Sequence, residues 1–133
     1  MKKLLLISLA ALILAGCGAN ATAVPSSPTE EVLNITNPSK TIEVAPGSEF
    51  KIVIRSNPST RYHWEEAEAL DTKVVDYIWK DYIPDKPDTP DLGGRDIWRF
   101  KAVAPGQTTI TLGYYYADTF DSAQMKTFTI VVK

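Results

Sequence analysis

From about Val32 onward, apolar and polar side chains alternate with a period of two. In Glu49-Phe50-Lys51-Ile52-Val53-Ile54-Arg55, the residues Phe50, Ile52 and Ile54 share one face. In Ile97-Trp98-Arg99-Phe100-Lys101-Ala102-Val103, Trp98, Phe100 and Ala102 alternate with the charged Arg99 and Lys101. Phe128, Ile130 and Val132 repeat the pattern near the end of the chain. Successive side chains of a strand point to opposite faces, so this alternation describes strands with one buried side. The spacing predicts strands near 32–36, 40–45, 49–55, 62–67, 73–82, 97–103, 108–116 and 125–132.

Turn signals separate these runs. Ala45-Pro46-Gly47 and Ala104-Pro105-Gly106 are similar triplets, in which proline presets φ and glycine is expected to take a positive φ. Trp64 to Leu70 is the one stretch of helical composition, and it reads better as a strand edge. Seven to eight short strands with turns between them predict an all-β, immunoglobulin-like sandwich of antiparallel strands. Cys17 is the only cysteine, so no internal disulfide can form and the fold must rest on its apolar core. Three tryptophans and six tyrosines supply bulk for that core.

The start of the chain reads differently. Lys2 and Lys3 precede an apolar run from Leu4 to Ala15, broken only by Ser8. That run is short of the ~20 residues a helix needs to cross the hydrocarbon of a bilayer. A charged start, a short apolar stretch and then small residues describe a signal peptide. The run ends in Leu14-Ala15-Gly16-Cys17, which resembles the lipobox of bacterial lipoprotein precursors. The resemblance implies cleavage before Cys17, a diacylglyceryl group on its thiol and acylation of its freed amine. Two or more acyl chains anchor stably where one does not. The expected organisation is therefore a lipoprotein signal peptide over 1–16, a lipid-anchored tether over 17–31 and one folded domain over 32–133. The tether, with two prolines and almost no bulky apolar residue, cannot offset its ordering entropy by burial. Export to the bacterial cell envelope follows, on the outer membrane or the cell membrane.

Charge and chemistry narrow the function. Residues 17–133 carry 12 basic and 16 acidic side chains, a net charge of −4, which argues against a nucleic-acid partner. His63 is the only histidine, and no G-x-S-x-G elbow accompanies it. One histidine and no spare cysteine do not make a zinc site. Asp85, Asp88 and Asp91 punctuate the loop DKPDTPD without the spacing of a calcium-binding EF-hand, and they read as a solvated, proline-stiffened turn. Gly93-Gly94 is a pair rather than a phosphate loop. Neither catalysis nor a cofactor or metal is expected.

The connections carry more. Asn57-Pro58-Ser59-Thr60-Arg61-Tyr62-His63-Trp64 joins two strands: Asn-Pro initiates a turn, Ser and Thr hydroxyls brace it, and Trp64 anchors the next strand in the core. This stretch, NPSTRYHW, resembles the first binding loop of the chagasin-like family, inhibitors of papain-type cysteine proteases (peptidase inhibitor family I42). That loop reads Asn-Pro-Thr-Thr-Gly, an aromatic, a variable residue and tryptophan. Asn57, Pro58, Thr60, Tyr62 and Trp64 agree, Ser59 is conservative, and Arg61 stands in place of the glycine. The family's second loop is glycine-rich and leads into a W-x-F-x-A strand. Here Leu92-Gly93-Gly94-Arg95-Asp96 leads into Ile97-Trp98-Arg99-Phe100-Lys101-Ala102. The family's third loop carries Arg-Pro-Trp; the equivalent region here is Tyr115-Tyr116-Ala117-Asp118-Thr119-Phe120, with Phe120 or Tyr116 in the aromatic role. The resemblance spans roughly Thr41 to Val132.

The resemblance implies a monomeric inhibitor whose three loops, at one end of the sandwich, enter a protease cleft on both sides of the catalytic cysteine. Thr60 would lie at the tip of loop one. Tyr115, Tyr116 and Phe120 would be the energetic anchors. Trp64 and Trp98 are expected in the core; Tyr114 and Tyr116 are expected to face inward, with Tyr115 exposed. A different reading is an envelope glycan- or protein-binding module that uses the Tyr114–Tyr116 run as a stacking surface. A third is a structural spacer of the envelope.

Overall fold

The structure, a computed structural model, describes residues 32–119 and 122–133. The expected signal peptide and tether, Cys17 and Phe120 lie outside the described residues. Eight strands run in the order β1 (Leu33–Ile35), β2 (Ile42–Val44), β3 (Glu49–Ser56), β4 (Tyr62–Glu66), β5 (Val75–Pro84), β6 (Gly94–Ala102), β7 (Gly106–Tyr116) and β8 (Ser122–Val132). They form two four-stranded sheets, ordered β1-β3-β6-β5 and β2-β8-β7-β4.

The alternating runs explain the two layers. Phe50, Ile52 and Ile54 of β3, with Trp98, Phe100 and Ala102 of β6, present one apolar face. Ile110 and Leu112 of β7, with Phe128, Ile130 and Val132 of β8, present the other. The two faces close on each other, and the Phe50 and Phe100 rings stack with centroids 5.6 Å apart. Burial of this kind contributes roughly 25 cal/mol per Å² of apolar surface, which is what holds a sandwich without a disulfide.

The strands are not all antiparallel. β1 pairs in parallel with β3, and β2 pairs in parallel with β8. Parallel neighbours need a long crossover, and the chain provides it by visiting both sheets in turn: β1 seals an edge of one, β2 an edge of the other, and β3 returns to the first. Of the two turn triplets, Gly47 takes the expected positive φ of 85°. Gly106 does not: it is the first residue of β7 and pairs with Val132.

Connectivity sets the poles. β3, β5 and β7 end at one pole, where residues 57–61 and 85–93 lead into β4 and β6 and residues 117–119 follow β7. The turns at 45–48, 67–74 and 103–105 lie at the other. The domain is entered near that second pole, since Leu33 pairs with Phe50 close to the start of β3.

Candidate functional site

The first connection is built by Asn57. Its Oδ1 accepts hydrogen bonds from Ser59 N (3.3 Å) and Ser59 Oγ (2.7 Å), capping a 3-10 turn over Pro58–Thr60. Pro58 occupies the first turn, where its missing N–H costs nothing. Thr60 N and Oγ1 both donate to Asn57 O, at 3.1 and 2.7 Å. Arg61 closes the turn with its N–H on Pro58 O at 3.0 Å and a φ of 67°. That conformation costs a residue with a Cβ on the order of 1–2 kcal/mol. Pro58, Ser59, Thr60 and Arg61 are all exposed. The turn is locked onto the core behind it: Trp64 is 2% exposed, and its Nε1 donates across the sandwich to Arg55 O at 2.8 Å.

The second connection holds a 3-10 turn over Pro90–Leu92, and Leu92 is 60% exposed at its end. Gly93 follows with a φ of 86°, and a Cβ there would lie 3.1 Å from Ser56 O. Gly94 and Arg95, expected in the loop, belong to β6 instead. The ladder runs on to Ser56↔Gly94 and Pro84↔Gly94, and the strand fits there because Gly94 has no Cβ to strike Ile83 O. Arg95 stands beside Arg55 in register on the outer face. Asp85 forms ion pairs with both Arg55 and Arg95, and the hydrogen bond from Arg55 holds its carboxyl below the usual aspartate range.

The third connection starts at Ala117, whose φ is 47° and whose N–H donates to Arg61 O at 2.8 Å. Thr119 N and Oγ1 fold back on Tyr116 O at 3.0 and 2.7 Å. Tyr115 and Tyr116 lie in β7, opposite His63 and Tyr62. Their exposure reverses the expectation. Tyr116 is 39% exposed, whereas Tyr115 is half-buried because its ring lies over Gly113, where an added Cβ would sit 2.6 Å from ring atoms. Tyr114 is half-buried, as expected of an inward residue, with its ring 4.7 Å from Trp64 and 5.1 Å from Tyr62. Tyr62 in turn stands 5.0 Å from Tyr116. This ladder carries aromatic contact from the core out to the loops, and it leaves no open stacking platform of three tyrosines for a sugar.

The first connection touches both of the others. Asn57 Nδ2 donates to Asp91 O at 3.1 Å, and Gly93 packs against the Asn57 side chain. Ala117 N–H joins the third connection to the first. Sequence reasoning missed Asp91 as a partner because it acts through its backbone carbonyl, which has no signature in residue type. It also missed a polar staple beneath the loops. Lys80 Nζ donates to Trp64 O at 2.6 Å, lies 3.4 Å from Asp96 Oδ2 and sits 4.6 Å from the Trp98 ring centroid. Asp96 is 2% exposed, and burial pushes its carboxyl above the usual range against the pull of Lys80. The staple joins β5 of one sheet to β4 of the other.

His63 is half-buried, with Nε2 3.3 Å from Glu65 Oε1, on the wall of an open groove of about 390 Å³ beside loop three. Among the described residues, no serine or cysteine lines that groove. Among the described residues no three His, Cys, Asp or Glu side chains gather to hold a metal.

A β-sandwich with three connections at one pole, the first bonded to each of the others, defines a module that acts by presenting a surface to another macromolecule. The sequence agrees at the family level: residues 43–132 match the chagasin family of peptidase inhibitors, I42, and the chain belongs to that family. No curated protein sequence matches it. Solved structures share the fold. A cysteine protease inhibitor from Entamoeba histolytica superposes with a TM-score of 0.62 at 22% identity, covering 77% of this chain and 95% of its own. ICP from Leishmania mexicana gives 0.52 at 21% identity over 74% and 91% of the two chains. PbICP-C, solved in complex with falcipain-2, gives 0.50 at 19% identity over 77% and 94%.

Proposed function

We propose that this protein inhibits papain-type cysteine proteases by filling the active-site cleft with its three loops. The observation that carries the reading is the hydrogen-bonded union of the connections at one pole: Asn57 to Asp91 and Ala117 to Arg61. A cleft needs several segments presented together, and pre-formed loops lose less freedom on binding than slack ones. Loop one, with Thr60 exposed on a turn braced by four hydrogen bonds to Asn57, enters nearest the thiolate–imidazolium pair. Leu92 and Tyr116, exposed at 60% and 39%, grip the walls from the other loops. A braced 3-10 turn does not offer an extended peptide with its carbonyl in line for attack, so the cleft is occupied and the inhibitor is not cut. The protein acts as a monomer, since its loop pole serves one cleft.

The same proposal includes attachment to the cell envelope through Cys17. In support, the domain is entered at Leu33, opposite Phe50, six residues before Ser56 at the loop pole. At ~3.3 Å per residue this separates the start of the domain from the loops by ~20 Å, which suits a surface anchor with the loops facing outward. Incorporation of labelled fatty acid that disappears in Cys17→Ser tests the anchor.

The inhibitory reading is tested by titrating the full-length protein against papain and several related enzymes. Stoichiometric loss of activity with recovery of uncleaved inhibitor is expected. Full activity of every enzyme in saturating protein would overturn it.

A further inference from the structure

Two described residues other than glycine hold a positive φ, and they are bonded to each other: Arg61 at 67° and Ala117 at 47°, joined by Ala117 N to Arg61 O at 2.8 Å. Glycine adopts this conformation without crowding, so it is the undemanding residue at position 61. The backbone duties of Arg61 are to donate to Pro58 O and to accept from Ala117 N, and any residue could perform them. The arginine side chain is therefore surplus to the turn. Strain retained at an exposed position without structural return points to a role for the side chain outside the domain.

The guanidinium has a defined place. Its carbon lies 5.4 Å from the centroid of the Tyr116 ring, at the seam between loops one and three. Arg61 is exposed, and so is Tyr116. Arg55 and Arg95 are committed to Asp85, and Lys80 to Asp96. Among the described residues, no carboxylate forms an ion pair with Arg61. In a chain of net charge −2, Arg61 places a cation at this seam, where the exposed Asp118 follows Ala117.

We propose that Arg61 is a specificity-determining residue, selecting papain-type proteases that carry carboxylates on the cleft wall facing the seam of loops one and three. The proposal rests on the inhibitory reading above. A guanidinium steadied on an aromatic ring keeps its planar fork oriented, and that fork matches a carboxylate with two parallel hydrogen bonds. Complementary charge also speeds encounter and penalises partners of the wrong sign.

The test pairs the full-length protein and its variants Arg61→Glu and Arg61→Lys with one papain-type protease of acidic cleft wall. The same protease with those carboxylates changed to amides serves as the second target. Inhibition constants are measured at about 50 mM and about 500 mM salt, where screening lengths differ several-fold. Arg61→Glu is expected to weaken inhibition of the acidic enzyme at least about tenfold, with a smaller loss on the amide enzyme and at high salt. Arg61→Lys, which keeps the charge and loses the fork, is expected to retain part of the selectivity. Equal losses on both enzymes, independent of salt, would mean that Arg61 only shapes the turn and would overturn the proposal. Identical inhibition by wild type and Arg61→Glu would overturn it too, leaving the inhibitory reading intact. Failure of the wild type on every enzyme would overturn both.

Discussion

Asn57 Nδ2 donates to the carbonyl oxygen of Asp91 at 3.1 Å, joining the first loop to the second across 34 residues of sequence. The same side chain caps its own turn through Oδ1, so one amide defines a loop and docks it on its neighbour. Replacing Asn57 by alanine removes both roles. A lost cap costs ~1 kcal/mol of stability. The larger effect is expected on inhibition, because both loops then have to be ordered at the moment of binding. Urea denaturation with inhibition assays on Asn57→Ala should show a modest stability loss beside at least a tenfold rise in inhibition constant.

Gly93 makes the complementary approach from loop two. With a φ of 86° and Ser56 O 3.1 Å from any Cβ, alanine at this position is both strained and crowded. Gly93→Ala should cost about 1–2 kcal/mol, readable as a lower denaturation midpoint. Relaxing the strain by moving loop two should weaken protease binding more than stability.

Charge at the proposed tip should act on binding alone. Thr60 is exposed and bonded only within its own turn, and Leu92 is exposed at the end of loop two. Thr60→Asp and Leu92→Asp should each leave the thermal midpoint within a few degrees of wild type while weakening inhibition by more than tenfold. An unchanged inhibition constant for Thr60→Asp would remove loop one from the centre of the interface.

Beneath the loops, Lys80 and Asp96 should make stability depend on pH. The Asp96 carboxyl holds its proton to a higher pH than in the unfolded chain, so folding takes up a proton in the window between those two values. Its contribution to stability is therefore greatest below that window and declines as pH rises through it. Asp85, with its pKa lowered by Arg55, works in the opposite sense: its contribution is present above the unfolded value and lost as pH falls through the folded one. Carboxyl resonances followed by NMR should show Asp96 titrating above, and Asp85 below, a free aspartate. Lys80→Met leaves the buried Asp96 without its cation and should cost about 3 kcal/mol at neutral pH, near the low end for such pairs because Lys80 keeps some contact with water. That cost should shrink in acid, where Asp96 is protonated.

The strands were legible because burial imposes a period of two on the chain, and Phe50-x-Ile52-x-Ile54 and Trp98-x-Phe100-x-Ala102 keep it without interruption. Boundaries were less legible. β6 begins at Gly94 and β8 at Ser122, three residues before the predicted starts, since the ladder continues as long as a partner strand lies alongside. The parallel edges β1 and β2 carry three residues each, too few to encode a direction. Alternation alone predicts an exposed Tyr115, whose ring instead folds over Gly113, a contact between neighbours on one face that a binary pattern does not record.

By itself the amino-acid sequence determined the two-layered all-β class, the turn residues and the motif NPSTRYHW, because these depend on local conformational preference and on which side chains avoid water. Tertiary structure alone decided that residues 57–61 meet both 85–93 and 117–119, that Arg61 and Ala117 share a hydrogen bond, and that Lys80 staples the sheets over Asp96. Those relations join atoms far apart along the chain, many of them backbone carbonyls identical in every residue type. They exist only once the core has closed and brought the strand ends to a common pole.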